Sequence, residues 1–239
     1  MWRRRLTPWK PRRCLADTVA PAEPPDRDTA APVTETILTY DLEILHFLHD
    51  EAASPAMDAA MTFVTQLGDG GFLWFAIAAV LIAQRRFRSF GIAVIVAVIM
   101  DFAIGDIVLK NIVERARPFL TDPSLATTLI PLPGSFSFPS GHTGSSFAAA
   151  TVLAAIPFSS GWKRMALRAV PIAAAAAVAF SRLYLCVHFP TDVAVGCLLG
   201  IACGLLVLKA LHPAVKPPAG AGPDAAGADS SPDASAARP

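Results

Sequence analysis

The sequence predicts an all-α membrane protein: a bundle of about six transmembrane helices with a disordered polar tail at each end. Three observations predict it. Of 239 residues, 54% are apolar and only 16% charged, with a mean hydropathy of +0.49, too apolar for a typical soluble domain. Five clear apolar runs recur, at 70–84, 90–112, 143–160, 165–185 and 191–211, with a weaker sixth at 53–68. Basic residues collect in alternate connections between those runs, as membrane topology requires.

Residues 1–38 form the first tail. They are rich in Pro, Arg and Asp and lack the apolar content to build a core. The basic start Met1-Trp-Arg-Arg-Arg5 is not followed by the apolar stretch of a secretory signal. Arg3, Arg4, Arg5, Lys10, Arg12 and Arg13 orient a neighbouring span, and a second reading has them touch anionic lipid. A short interfacial helix is expected over 41–49. The membrane body then fills 39–212, and 213–239, made of Pro, Ala, Gly and Asp with almost no large apolar residue, forms the second tail.

Proline and glycine punctuate this body consistently. Pro118 follows the 90–112 run, where a helix tends to stop. Pro190 opens the last run, its preferred place in a first helical turn. Pro171 lies inside the 165–185 run, which neighbouring helices accommodate in a membrane. Gly196, Gly200 and Gly204 repeat every four residues on one face. That face suits close packing within the chain; a homodimer contact is the second reading. Cys14, Cys186, Cys197 and Cys203 show neither metal nor disulfide spacing and read as small hydrophobes.

Charge sets the expected sidedness. If Arg85-Arg86-Phe87-Arg88, Trp162-Lys163-Arg164 and Lys209 face the cytoplasm, every cytoplasmic connection obeys the positive-inside rule, and Arg115, Arg117 and Arg182 break it, as functional cations can. Six crossings then put both tails in the cytoplasm and the loops at 113–142 and 186–190 on the outside of the cell (inner) membrane. A net charge of +1 gives no reason to expect a nucleic-acid partner.

Those two loops hold the chemistry. The first cluster is Lys110-Asn-Ile-Val-Glu-Arg-Ala-Arg117-Pro118, the second Pro139-Ser140-Gly141-His142. The third is Ser181-Arg182 with His188 and Asp192 beyond it. Together they offer three cations, two imidazoles and one carboxylate, a set suited to holding a phosphoryl group and cutting it from oxygen. Lys110 and Arg117 are seven apart, nearly two helical turns, so a continuous helix would point both to one side. Lys110 ends a long apolar run, where an ionisable group is costly and calls for a function; Asp106, one turn earlier, reads as its neutralising partner. Asp101 lies deeper with no obvious partner. Ser140 suits a helix N-cap, and Gly141 permits close backbone approach at a helix start whose N–H groups face an anion. Asp192 in a first helical turn lies close enough in sequence to fix the tautomer of His188, an arrangement that suits a nucleophile. Each cluster alone has a plainer reading, as interfacial cations, a capped helix start, or a helix-start acid. Three in this order do not.

The three clusters resemble the signature motifs of the type 2 phosphatidic acid phosphatase superfamily, K-x6-RP, PSGH and SR-x5-H-x3-D, and every defining position is matched. The resemblance covers roughly residues 40–212. Phe119 stands where a second Arg is common and Cys186 where Gly is common. The resemblance implies a six-helix bundle and a membrane lipid phosphatase acting on a phosphomonoester or diphosphate. It implies that His188 is the nucleophile forming a phosphohistidine, that Asp192 orients it, and that His142 protonates the leaving oxygen and then activates water. Lys110, Arg117, Ser140, Gly141 and Arg182 would bind the phosphate. No metal or cofactor is expected, because acidic residues near the clusters lack metal-ligand spacing. Phosphatidate, phosphatidylglycerol phosphate and polyprenyl diphosphate all suit such a site. The same motifs resemble vanadium haloperoxidases, which are soluble, and an inert membrane scaffold or transporter is the other alternative.

Overall fold

The computed structural model describes residues 32–157 and 162–213. The basic residues between Arg3 and Arg13 and the C-terminal tail lie outside the described residues. Every described element is helical. In order they are α1 (Pro32–Asp50), α2 (Pro55–Gly68), a 3-10 turn (Asp69–Gly71), α3 (Phe72–Ala83), α4 (Arg88–Phe102), a π-helical segment (Ala103–Leu109), α5 (Lys110–Val113), α6 (Pro118–Thr121), a 3-10 turn (Pro123–Leu125), α7 (Gly141–Ala154), α8 (Trp162–Tyr184) and α9 (Pro190–Leu211). Helix α1 contains the interfacial helix expected at 41–49, but it starts at Pro32, ahead of the 38/39 boundary drawn from composition.

The count of crossings is where the structure departs from the sequence reading. Residues 53–68 and 70–84 are not two spans. They form one broken rod, Pro55–Ala83, long and apolar enough to cross a membrane once. Its contacts descend the bundle in order. Asp58 accepts from the Tyr184 hydroxyl at 2.6 Å, and Thr65 accepts from Arg182. Asp69 meets His142, Trp74 donates to Ser146 at 3.0 Å, and Ala78 lies against Gly91. The interruption that hydropathy registers is a local unwinding at Gly70 and Gly71, with φ of 56° and 70°, a region glycine enters without strain. Arg88–Thr121 and Pro190–Leu211 are also of crossing length and hydropathy, and α7 and α8 run beside them. Among the described residues three helices are therefore long and apolar enough to cross a membrane. Helix α1 meets the bundle at the end that carries the motifs: midway along it, Asp41 accepts from the backbone N–H of Thr191 at 3.0 Å.

Small residues set the helix spacing. Gly196, Gly200 and Gly204 face α7, not a second chain: a Cβ on Gly200 would stand 2.9 Å from the backbone nitrogen of Ala148, and one on Gly204 2.7 Å from Thr151. Lipid supplies no hydrophobic drive between helices, so this close approach gains its stability from dispersion. Above and below it, Trp74, Phe90, Val94, Val152 and Ile156 fill the core. Large apolar side chains such as Phe72, Ile112, Leu198 and Leu206 point outward, as lipid-facing residues do. Pro171 sits inside α8.

Candidate active site

The first motif does not lie on one helix. Helix α5 ends at Val113, Glu114 takes a left-handed conformation (φ 49°), and the chain runs extended to Arg117. Lys110 and Arg117 nevertheless line one cavity of about 720 Å³, together with Arg182, His142 and His188. What brings Lys110 to it is the π-helix. Five residues make just over one turn of a π-helix, so Asp101, Asp106 and Lys110 line the same cavity. Lys110 is paired with Asp106, as the sequence suggests. The Asp106 carboxylate also lies against Cα of Gly141, where any side chain would collide with it. Asp101 is buried against Gly144.

Arg117 is held by the backbone. Nε donates to the Ser135 carbonyl at 2.6 Å, Nη1 to the Val187 carbonyl at 2.7 Å, and Nη2 to Ser135 Oγ at 3.1 Å. This ties three separate loops together and leaves Nη1 3.4 Å from Nε2 of His188. Arg182, at the end of α8, is buried and donates to Thr65. Its Nε has no hydrogen-bond partner among the described residues. A buried guanidinium with an unspent donor fits an anion better than it fits a structural role.

Ser140 occupies the N-cap position of α7, but its hydroxyl does not cap the helix. It pairs with Thr143 Oγ1 at 2.9 Å. The α7 N-terminus is thereby left to face the cavity through Gly141 and His142. Nε2 of His142 stands 2.7 Å from Oδ1 of Asp69.

His188 is fully enclosed in the short loop between α8 and α9, just before Phe189-Pro190, as the Pro restriction predicts. Burial, reinforced by Arg182 and Arg117 and opposed by Asp192, pushes its imidazole down to about 3. It is therefore neutral at neutral pH, the form a nucleophile requires. Its Nδ1 lies 3.7 Å from Oδ2 of Asp192, beyond hydrogen-bond length but on the side that fixes the tautomer. Asp192 is itself clamped. Oδ1 accepts from Arg115 at 2.6 Å, and Oδ2 accepts from Ser137 Oγ at 2.5 Å and from the Phe189 N–H at 2.9 Å.

Six of the eight expected site residues thus line one cavity, while Ser140 and Asp192 are buried, Ser140 through its N–H to the Asp192 carbonyl. Sequence reading missed the residues that hold them. Arg115 joins Asp192, Thr191 (2.7 Å) and Asp41 (2.8 Å) and stacks 3.9 Å over the Phe189 ring. Its one visible signal is a cation on what the positive-inside rule makes the wrong side of the membrane. Ser137, Thr65 and Asp69 gave none. Cys186 has φ 52°, which explains why glycine is common at its position.

Residues 87–216 match the PAP2 superfamily. An undecaprenyl-diphosphatase of Sulfolobus acidocaldarius is 32% identical over 60% of this chain and 66% of its own length. A decaprenylphosphoryl-5-phosphoribose phosphatase of Mycobacterium tuberculosis is 32% identical over 64% of this chain and 80% of its own. The crystal structure of Aquifex aeolicus LpxE superposes with a TM-score of 0.60 at 31% identity, covering 70% of this chain and 94% of that one. A cavity lined by Lys110, Arg117, Arg182 and two histidines and an all-helical fold agree with these likenesses. The chain belongs to the PAP2 superfamily and is one of its membrane lipid phosphatases.

Proposed function

We propose that the enzyme removes phosphate from a polyprenyl phosphate or diphosphate, or from a phosphatidate-type lipid, through a phosphohistidine on His188. One observation carries the reading: the neutral imidazole of His188 lies beside Arg117 in a cavity that Lys110 and Arg182 also line. The phosphate enters this cradle, and its charge recruits Lys110 from Asp106 and the unspent Nε of Arg182. The N–H groups at the start of α7, at Gly141 and His142, receive the remaining oxygens, with Ser140 buried beside them. Phosphoryl transfer asks a protein mainly for in-line placement and charge neutralisation, which three cations supply. Nε2 of His188 attacks phosphorus, Asp192 steadies Nδ1, and His142 gives the departing oxygen a proton. His142 then takes a proton from the water that hydrolyses the phosphohistidine.

Apolar walls favour a lipid. Phe75, Val98, Ile99, Phe102 and Ile130 to Pro133 line the cavity. The polyprenyl reading is favoured over phosphatidate by the names of the relatives. Among the described residues no group of three or more His, Cys, Asp or Glu side chains is placed to hold a metal, so activity in excess chelator is expected. The basic loop at 85–88 lies at the end opposite the motifs. By the positive-inside rule the site faces the exterior, with the C-terminal end of α9 in the cytoplasm.

A panel of polyprenyl diphosphate, polyprenyl phosphate, phosphatidate and phosphatidylglycerol phosphate in liposomes tests the proposal by phosphate release. His188→Ala should abolish turnover and the acid-labile phosphoenzyme. Substantial activity in that variant, or radiolabel on His142, sinks the assignment.

A further inference from the structure

Asp69 lies outside residues 87–216, the stretch that matches the family, and outside all three motifs. It stands at the break between α2 and α3, directly before the two left-handed glycines. That unwound turn places its carboxylate 2.7 Å from Nε2 of His142. A carboxylate only accepts, so Nε2 carries a hydrogen and donates it. The same edge of the ring is walled by Gly68: a Cβ there would lie 3.1 Å from Cδ2 of His142. With Nε2 and Cδ2 facing the α2–α3 break, Nδ1 is the nitrogen left to exchange a proton with the reactants.

We infer that Asp69 is the positioning residue of the acid–base histidine: it holds His142 through Nε2 and favours the imidazolium that must give up a proton from Nδ1. This rests on the reading of His142 as general acid and base. In the first step the Nε2 lone pair of His188 forms the N–P bond. The P–O bond to the lipid breaks, and its electron pair stays on the leaving oxygen, which takes the Nδ1 proton of His142. In the second step water gives a proton to Nδ1 of His142, its oxygen bonds phosphorus, and the N–P bond breaks. A charge fixed at Nε2 serves both steps, because His142 must be cationic at the start of the first and at the end of the second.

The groups around His142 make this contact decisive. Burial first, and then Arg182 from α8, oppose a cation on the ring. Asp106 from the π-helix supports one but is already paired with Lys110. Asp69 is the carboxylate in direct hydrogen bond. Its half-exposed side chain also lines the cavity, so it can be changed without opening the core.

The test is Asp69→Asn in the full-length enzyme, compared on a polyprenyl phosphate and on p-nitrophenyl phosphate. On the lipid, kcat should fall about 10- to 100-fold, the scale of partial loss of a general acid. KM should move less than about threefold, and the alkaline limb of the kcat–pH profile should shift down by about one unit. On p-nitrophenyl phosphate, whose leaving group needs little protonation, the burst of nitrophenol should be nearly unchanged. Asp69→Glu should recover part of the alkaline limb, and vanadate should inhibit all variants alike. Equal losses on both substrates, an unmoved limb, or lost vanadate inhibition in Asp69→Asn would each overturn the inference. His142→Ala separates this from the underlying reading. If that variant also lacks leaving-group sensitivity, the general-acid role of His142 is wrong. If it shows the sensitivity and Asp69→Asn does not, only the role of Asp69 falls.

Discussion

Replacing Arg115 with Met keeps length and apolar stem but deletes the guanidinium that pairs with Asp192 behind His188, the proposed nucleophile. In the native structure that group donates to Asp192 at 2.6 Å, Thr191 at 2.7 Å and Asp41 at 2.8 Å. Asp192 is wholly buried. It would keep Ser137 and the Phe189 N–H but lose the cation that balances its charge. Removing one partner of a buried ion pair costs about 3–5 kcal/mol, mostly through the charge left behind. The Arg115 side chain is 23% exposed, which puts the expected loss near the lower bound, about 3 kcal/mol. For a chain of this size that is a fall in melting temperature of roughly 6–12 °C. Activity should fall further than stability. In the proposed mechanism Asp192 orients His188, and a misplacement on the order of 1 Å costs about a hundredfold. Thermal unfolding in detergent and phosphate release from a lipid substrate read the two effects separately. Asp41→Asn should cost less than Arg115→Met, and the double variant should fall short of their sum, because one change removes the reason for the other. An Arg115→Met enzyme that melts within about 2 °C of the native protein and keeps its kcat would refute the claim that this network holds the nucleophile.

Three further outcomes are expected. Gly200→Leu should destabilise by at least about 1–3 kcal/mol, seen as a lower melting temperature, because its Cβ has no room beside Gly144 and Ala148; an unchanged melt would mean that α7 and α9 do not pack this closely. Native stability should decline as pH falls from about 6.5 toward about 3, since the unfolded chain takes a proton on His188 that the folded imidazole refuses; His188→Gln, which cannot titrate, should show a flatter decline, and equal slopes would contradict the burial. Reporters inserted between α1 and α2 and after Gln84 should fall on opposite sides of the membrane, because Pro55–Ala83 crosses once; the same sidedness would restore two separate spans.

The motif positions were legible because each is a residue type fixed by chemistry at a fixed spacing. Lys110, Arg117, His142, Arg182 and His188 converge although the geometry assumed for two of them was wrong. The seven-residue spacing suggested a shared helix face; the structure instead ends the helix at Val113 and turns the chain through Glu114. The convergence survives because Arg117 is placed by backbone carbonyls from 135–136 and 187, contacts between segments distant in sequence. The same holds for Arg115 with Asp41 and for Asp69 with His142, which are 74 and 73 residues apart. No local pattern encodes such pairs. The division of residues 53–84 into two runs misled for a different reason. Hydropathy counts apolar length and reads Gly68-Asp69-Gly70-Gly71 as the gap between two spans, whereas the glycines only unwind one.

That misreading and the missed carboxylate are one fact. A polar turn inside an apolar rod is costly in a membrane unless it is buried in protein or lines a cavity. Here the turn stands against the α7 N-terminus, with Asp69 on His142 and Gly68 against the ring. The break in α2–α3 therefore persists where the catalytic cavity can accept its polar groups. In a chain of this class, a Gly- and Asp-rich interruption in an early apolar run points to the face of that run that meets the motif histidines.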